Sequence, residues 1–444
     1  METLQAQAPL VPTTTMLSAK KQSIDVPFAM AVPVPLPLPE SSSLAVVVQG
    51  STNQVGEFPQ NAAGLDDATL QTLQKQGYSL GMAKSLGEVK KSFAKRIFII
   101  DNSGSMQRND GHRLVDVNGR NTIKVVPCTR FEELRDTINY HIRLTGLIQA
   151  PTSFRLLNHP VLGDAQQIFG VAEGHEPNSD SIAADVERGL NIMRRINPYG
   201  CTPLVDHIRC IHQEVLEMAP ELRASGQRIS VTIATDGLPS DPYGRGGPEH
   251  NQAFVDSLRQ LEGLPVWLVI RLCTDEDSVV EYYNSLDEML ELSVEVLDDC
   301  VGEAEEIHRI NPWLNYGLPL HRLREVGYHD RVLDMLDERP LTLSELQVFC
   351  HLLFDGADAM EGIPDPSVDW NAFLKVLKQL MATEKLQWQN PISRRMEPWL
   401  DIKMLDFLYG DSCNHLPCHP LQIFQWFQCM TLPLTTGTSG GFRR

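Results

Sequence analysis

Nowhere in the chain do about 18 apolar residues run together, so no segment is expected to cross a membrane as a helix. The apolar stretch over residues 26–39 carries Pro33, Pro35, Pro37 and Pro39 at every second position, which bars a helix there. A secretory leader is not expected either. Glu2 stands where a positive charge belongs, and no clean apolar run precedes a small-residue cleavage site. Basic residues are in deficit: 38 Lys and Arg against 57 Asp and Glu leave a formal charge of −19. A polyanion repels phosphate backbones and anionic head groups, so nucleic acid and membrane surfaces are not expected as partners. Cysteine is sparse, nine residues from Cys128 to Cys429, an odd number with no pairing pattern. Cys210 and Cys350 fall on helix faces, where a free thiol acts as a small apolar group. That usage fits a reducing compartment, cytoplasmic or nuclear. Absent too are the Gly-x-x-x-x-Gly-Lys-Ser/Thr phosphate loop, the Gly-x-Ser-x-Gly elbow and His-Glu-x-x-His, which removes the commonest nucleotide-binding and hydrolytic motifs.

What is present is globular composition, 42% hydrophobic over 444 residues, enough for two or three domains. Residues 1–60 are rich in Pro, Val, Ser, Thr and Gln without helical or strand period, the pattern of a disordered tail with a polyproline segment. Residues 64–92 form two short helices. Leu65, Leu70 and Leu73 lie on the first; Leu80, Met82, Ala83 and Leu86 lie on the second. Gln76-Gly-Tyr78 followed by Gly-Met-Ala-Lys-Ser-Leu resembles part of a ubiquitin-associated helical module. That resemblance implies an adaptor of the ubiquitin pathway; the other reading is a lead-in that packs on the next domain.

From residue 93 the pattern changes. Ile97-Phe-Ile-Ile100 is a continuous apolar run suited to a buried parallel strand. Further strands are expected at 153–157, 228–235, 266–272 and 293–297. Amphipathic helices are expected at 131–147, 181–196, 203–222, 254–261, 278–289 and 303–310. This alternation predicts a doubly wound α/β domain over residues 93–311, with a mostly parallel sheet and ligands at the carboxyl ends of its strands. Between Asp110 and Phe131, two β-rich arms flank Asn118-Gly119, a hairpin signal that places an extra element beside the strand-end loops. Residues 312–430 are expected to be mainly helical, with helices at 343–354, 370–383 and 397–408, and residues 431–444 to be a flexible tail.

The chemistry concentrates at the strand ends. Asp101-Asn-Ser103-Gly-Ser105 follows the first buried strand, and alternate Asp and Ser in a turn can aim oxygens at one point. Gly200-Cys-Thr202-Pro offers a hydroxyl before a helix, and Ala234-Thr-Asp236-Gly ends another apolar strand with a carboxylate. An all-oxygen set suits a hard cation such as Mg²⁺. In order, spacing and flanking residues, Asp101, Ser103, Ser105, Thr202 and Asp236 resemble the metal-ion-dependent adhesion site of the von Willebrand factor type A domain, over about half the chain. The resemblance implies that Ser103, Ser105 and Thr202 supply metal oxygens, that Asp101 and Asp236 bind directly or through water, and that one coordination position is kept for an acidic side chain of a partner. It implies Mg²⁺, or Mn²⁺ or Ca²⁺ in its place. The role it implies is a metal-dependent protein-interaction module, not an enzyme, acting as a scaffold or subunit of an intracellular assembly.

Three further readings remain. Asp241 and the run Asp275-Glu-Asp277 add acidic charge to the same edge or begin a helix. Cys413, His415, Cys418 and His419 carry zinc-type ligands at non-standard spacing. A metal-dependent hydrolase would need a general base beside Ser103 and Ser105, and His112 is the nearest histidine in sequence.

Overall fold

The computed structural model describes residues 64–116, 123–160, 166–175, 179–354, 362–384 and 387–410, all within one compact unit, Pro59–Arg444. The expected tail over 1–60, the Asn118-Gly119 turn, the Cys413–His419 cluster and the tail over 431–444 lie outside the described residues.

Helices α1 (Asp67–Lys75) and α2 (Leu80–Ser92) run straight into β1 (Phe93–Ile100). The hairpin strands β2 (Gly111–Asp116) and β3 (Ile123–Cys128) precede α3 (Arg130–Ile148). Next come β4 (Thr152–Leu156), β5 (Ile168–Val171), α4 (Asp180–Arg195), α5 (Leu204–Ser225), β6 (Arg228–Thr235), α6 (Pro248–Arg259) and β7 (Val266–Leu272). The α/β alternation closes with α7 (Asp277–Asn284), α8 (Leu286–Met289), β8 (Val294–Leu297) and α9 (Cys300–Ile310). The remainder comprises α10 (Leu318–Glu325), α11 (Arg331–Glu338), α12 (Leu343–Phe354), α13 (Trp370–Glu384), the small hairpin β9 (Gln387–Gln389) and β10 (Met396–Pro398), and α14 (Ile402–Tyr409). Local chemistry sets several starts. Ser79 caps α2 through Met82 N, and Thr129 with Glu132 forms a reciprocal capping box at α3.

The central sheet has six strands in the order β5-β4-β1-β6-β7-β8. All neighbours are parallel except β5, which pairs antiparallel with β4 at one edge. Four-residue β5 was not legible in the sequence because it is too short to show a period. The β2–β3 hairpin forms as expected but as a separate two-stranded ribbon. The α/β class and the mostly parallel sheet flanked by helices therefore hold. Among the described residues no helix is long and apolar enough to cross a membrane.

Alternation sorts the strand residues onto two faces. Ile97, Ile99, Val231, Ile233, Leu268 and Ile270 pack with α5, α6 and α7 in an aliphatic core. On the opposite face Phe98, Ile100, Phe154 and Phe169 meet α3 and α4. Trp267, Val269 and Leu297 join a third core with α2 and the helices after residue 311. In that core Tyr78, Met82 and Leu86 of the lead-in are buried with Leu320, Leu333, Phe349 and Leu353. A Cβ on Gly81 would sit 2.2 Å from Leu352 O, so glycine permits α2 and α12 to cross at backbone contact. The expected boundaries at 92/93 and 311/312 thus run through one continuous core. In the C-terminal region, expected to be mainly helical, α10 and α11 add to the three helices named there, and α14 begins later than 397 because residues 396–398 are a strand.

Candidate functional site

β4 and β5 lie to one side of β1, and β6, β7 and β8 to the other. The chain reverses its direction of winding between β1 and β6, which makes their carboxyl ends the topological switch point where ligands of such sheets bind. Asp101 follows β1 and Asp236 follows β6. Asp101, Ser103, Thr202 and Asp236 are buried.

Asp101 is fastened on both oxygens: Ser103 N donates to Oδ1 at 2.8 Å and Thr235 Oγ1 to Oδ2 at 2.6 Å. Ser103 Oγ and Ser105 Oγ are 2.9 Å apart, and Ser105 Oγ donates to Asp236 Oδ1 at 2.7 Å. The Ser105 turn is a short 3-10 segment, Gly104–Gln107, held by Gly104 N donating to Gly200 O at 3.1 Å. Thr202 faces the Asp236–Gly237 turn: a Cβ on Gly237 would sit 3.8 Å from Thr202 Oγ1. Thr202 is pinned through its backbone, with its N–H on Ser240 Oγ at 2.9 Å and its carbonyl accepting from Ser240 N at 3.0 Å. Beneath them Asn102 and Asn158 exchange amide bonds, and Asn158 Nδ2 donates to Cys201 O at 2.8 Å. Gly200 closes this arrangement at φ +84°, where any Cβ would also strike Asn158 Oδ1.

Burial, reinforced by the Asp236 carboxylate, pushes Asp101 up to about 6. Burial raises Asp236 as well, against hydrogen bonds from Ser105 and Arg130. Two buried carboxylates on one small cluster of hydroxyls are electrostatically unfavourable without a cation. Arg130 supplies a positive charge. Its NH1 donates to Asp236 Oδ2 at 3.0 Å, its Nε and NH2 grip Asp110 at 2.7 and 2.6 Å, and NH2 reaches Glu276 Oε1 at 3.2 Å. Arg108 also pairs with Glu276. Sequence reasoning passed over Arg130. Its one signal was an arginine at the first position of α3, against the helix dipole, a placement that asks for an acidic partner elsewhere.

The donor set fits a small hard cation. Mg²⁺–oxygen bonds of about 2.0–2.1 Å imply octahedral edges of roughly 2.9 Å. The Ser103–Ser105 and Ser105–Asp236 oxygen separations, 2.9 and 2.7 Å, are hydrogen-bond distances of similar size, so these oxygens already sit close together. Among the described residues no three His, Cys, Asp or Glu side chains gather as a metal group, so any ion here depends on the hydroxyls as much as on the two carboxylates. Asp241 does not line the site. It accepts from Tyr243 N, Arg245 N and Arg245 Nε within its own loop. Asp275 and Glu276 border a neighbouring cavity of about 210 Å³ with Asp110 and Arg130, and Asp277 sits in the first turn of α7. His112 is exposed, and its backbone N–H donates to Glu133. Among the described residues Ser103 and Ser105 hydroxyls bond only to each other and to Asp236, so no histidine stands ready to activate either.

No family model matches the chain, and no curated protein matches it.

Proposed function

We propose that residues 93–311 are a von Willebrand factor type A domain whose Asp101, Ser103, Ser105, Thr202 and Asp236 hold Mg²⁺, or Mn²⁺ or Ca²⁺, and that the bound ion bridges to an Asp or Glu of a protein partner. The chain is then a metal-dependent interaction module of a larger assembly, and not an enzyme. The observation that carries this reading is the gathering of the Ser103, Ser105 and Asp236 oxygens in one hydrogen-bonded cluster beside the switch point of the sheet. When bound, the ion supplies an open coordination position that a carboxylate fills by displacing water. The protein's own residues do the rest. Asp101, locked by Ser103 N and Thr235, shapes the first loop, and the Asn102–Asn158 pair holds the Thr202 loop against it. The ubiquitin-adaptor reading gains no support, because Leu73, Tyr78, Met82 and Leu86 are buried in the chain's own core.

The test is Mn²⁺ binding followed by electron paramagnetic resonance. Wild type is expected to bind one Mn²⁺ that Mg²⁺ displaces, and Asp101→Ala/Ser103→Ala to bind none at that site. Affinity capture in Mg²⁺, in EDTA and with the double variant then reads the partner. Equal Mn²⁺ stoichiometry in both proteins, or an identical partner set in all three captures, would sink the reading.

A further inference from the structure

β8 is the outermost strand beyond β7, and among the described residues no strand pairs with its other edge. A cavity of about 620 Å³ opens along it, bounded by Val294, Glu295 and Val296 of the strand and by side chains of α8, α9, α10 and α11. Its lining carries the carboxylates of Asp287, Glu295, Glu306, Asp334, Asp337 and Glu338 against two guanidiniums, Arg309 and Arg324. Both guanidiniums are already engaged, Arg324 by Glu295 and Glu303 and Arg309 by Glu306. Carboxylates therefore outnumber guanidiniums in the cleft.

Glu295 is the buried carboxylate of this lining. Its side chain is 7% exposed. Oε1 accepts from Arg324 Nε at 2.8 Å, whereas among the described residues Oε2 has no hydrogen-bond partner. A buried carboxylate oxygen without a donor is costly, and the carboxylates of this lining that face solvent are Asp287, Glu306 and Glu338. Among the described residues no three of these carboxylates gather as a metal group. Spread charges along an open strand edge suit a ligand with several cations at strand spacing.

We infer that this cleft binds an extended Lys- or Arg-bearing segment of a partner protein, which pairs its backbone with the free edge of β8 and sets alternate basic side chains among the carboxylates. An open edge offers unpaired N–H and C=O groups as a template. Backbone pairing then supplies affinity, and side chains of period two supply selection. Opposite charge speeds the encounter and rejects acidic segments. The inference uses none of the residues at the β1–β6 switch point and stands apart from the metal reading.

The probe is a fluorescein-labelled Lys-Val-Lys-Val-Lys-Val peptide, followed by anisotropy with the full chain at physiological salt. Asp287→Asn/Glu306→Gln/Glu338→Gln alters three exposed positions of the lining and is expected to weaken binding about ten-fold. Glu217→Gln/Glu221→Gln/Glu249→Gln removes the same charge from exposed positions on α5 and α6 and is expected to change it by about two-fold or less. The fully N-methylated peptide, which lacks backbone donors, is expected to bind about ten-fold more weakly. In wild type, the peptide is expected to slow amide hydrogen exchange in β8. Equal weakening by the two triple variants overturns the inference as a general charge effect. Unchanged exchange in β8, equal binding of the N-methylated peptide, or displacement by spermine at matched charge overturns the strand pairing.

Discussion

The two faces of the central sheet are built on different principles. Towards α5, α6 and α7 the strands present Ile97, Ile99, Ile229, Val231, Ile233, Leu268, Ile270 and Leu272, an aliphatic layer. On the opposite face the strands set Arg96, Ser230, Thr232, Arg271 and Glu295, all buried, among the apolar Phe98, Ile100, Trp267 and Val269. The consecutive pair Arg324 and Glu325 at the end of α10 answers that polar face. Arg324 reaches Glu295 and Glu303, and its NH1 also donates to Tyr316 OH at 3.1 Å. Glu325 meets His141 Nε2 at 2.8 Å, His321 Nε2 at 3.4 Å and Arg271 Nε at 3.6 Å, and its carbonyl accepts from Thr232 Oγ1 at 3.1 Å. Arg271 goes on to Glu133 of α3, whose other oxygen takes the His112 N–H at the base of the hairpin. An aliphatic face accepts any helix of the right shape; a polar one accepts only the helix that brings complementary charges. The difference explains why the region after residue 311 is docked on the sheet and is not a loose appendage.

That comparison can be broken most sharply at its hub. Arg324→Ala leaves Glu295 and Glu303 buried without their cation and is expected to cost about 3–5 kcal/mol, read as a fall in the urea midpoint. Leu268→Ala, on the aliphatic face, is expected to cost about 2–5 kcal/mol through cavity formation. If Arg324→Ala cost less than a surface substitution, the polar face would not be what holds α10. Arg96 offers the opposite sign. Its guanidinium is fully buried, and among the described residues none of its three nitrogens has a hydrogen-bond partner. Burial drives it down to about 10. Arg96→Met keeps the volume and removes the charge, and is expected to stabilise by about 1–3 kcal/mol in the same assay. A destabilised Arg96→Met would mean that the arginine has a partner in solution.

The smallest effect concerns pH. Burial pushes Glu295 up to about 7, against the pull of Arg324, from an ordinary glutamate value near 4.5. The folded protein therefore holds more protons than the unfolded chain between those values, and stability falls as pH rises through that window. Glu384 and Asp298, each raised to about 7 chiefly by burial, act in the same direction. The melting temperature is expected to drop from pH 5 to pH 8, and Glu295→Gln to flatten part of the slope. An unchanged slope in that variant would place the effect on the other carboxylates.

Much of the architecture is legible in the sequence. β6 and β7 match their expected bounds because continuous apolar runs flanked by turn residues leave little choice. α3, α4 and α5 match to within a few residues because their apolar stripes repeat at helical spacing. The five oxygen-bearing residues of the candidate site were likewise singled out from loop sequence alone, since the end of a parallel strand is a defined place whatever the rest of the chain does. What sequence could not disclose is pairing at a distance. Arg130 reaches Asp236 across 106 positions and Glu325 reaches His141 across 184. A lone arginine or glutamate in a helix looks the same whether it faces water or a buried counter-charge. Local pattern determined the strands, the helices and the chemistry of each loop. Only the tertiary fold decided which charges meet, because the cost of burying a charge depends on the partner it finds there.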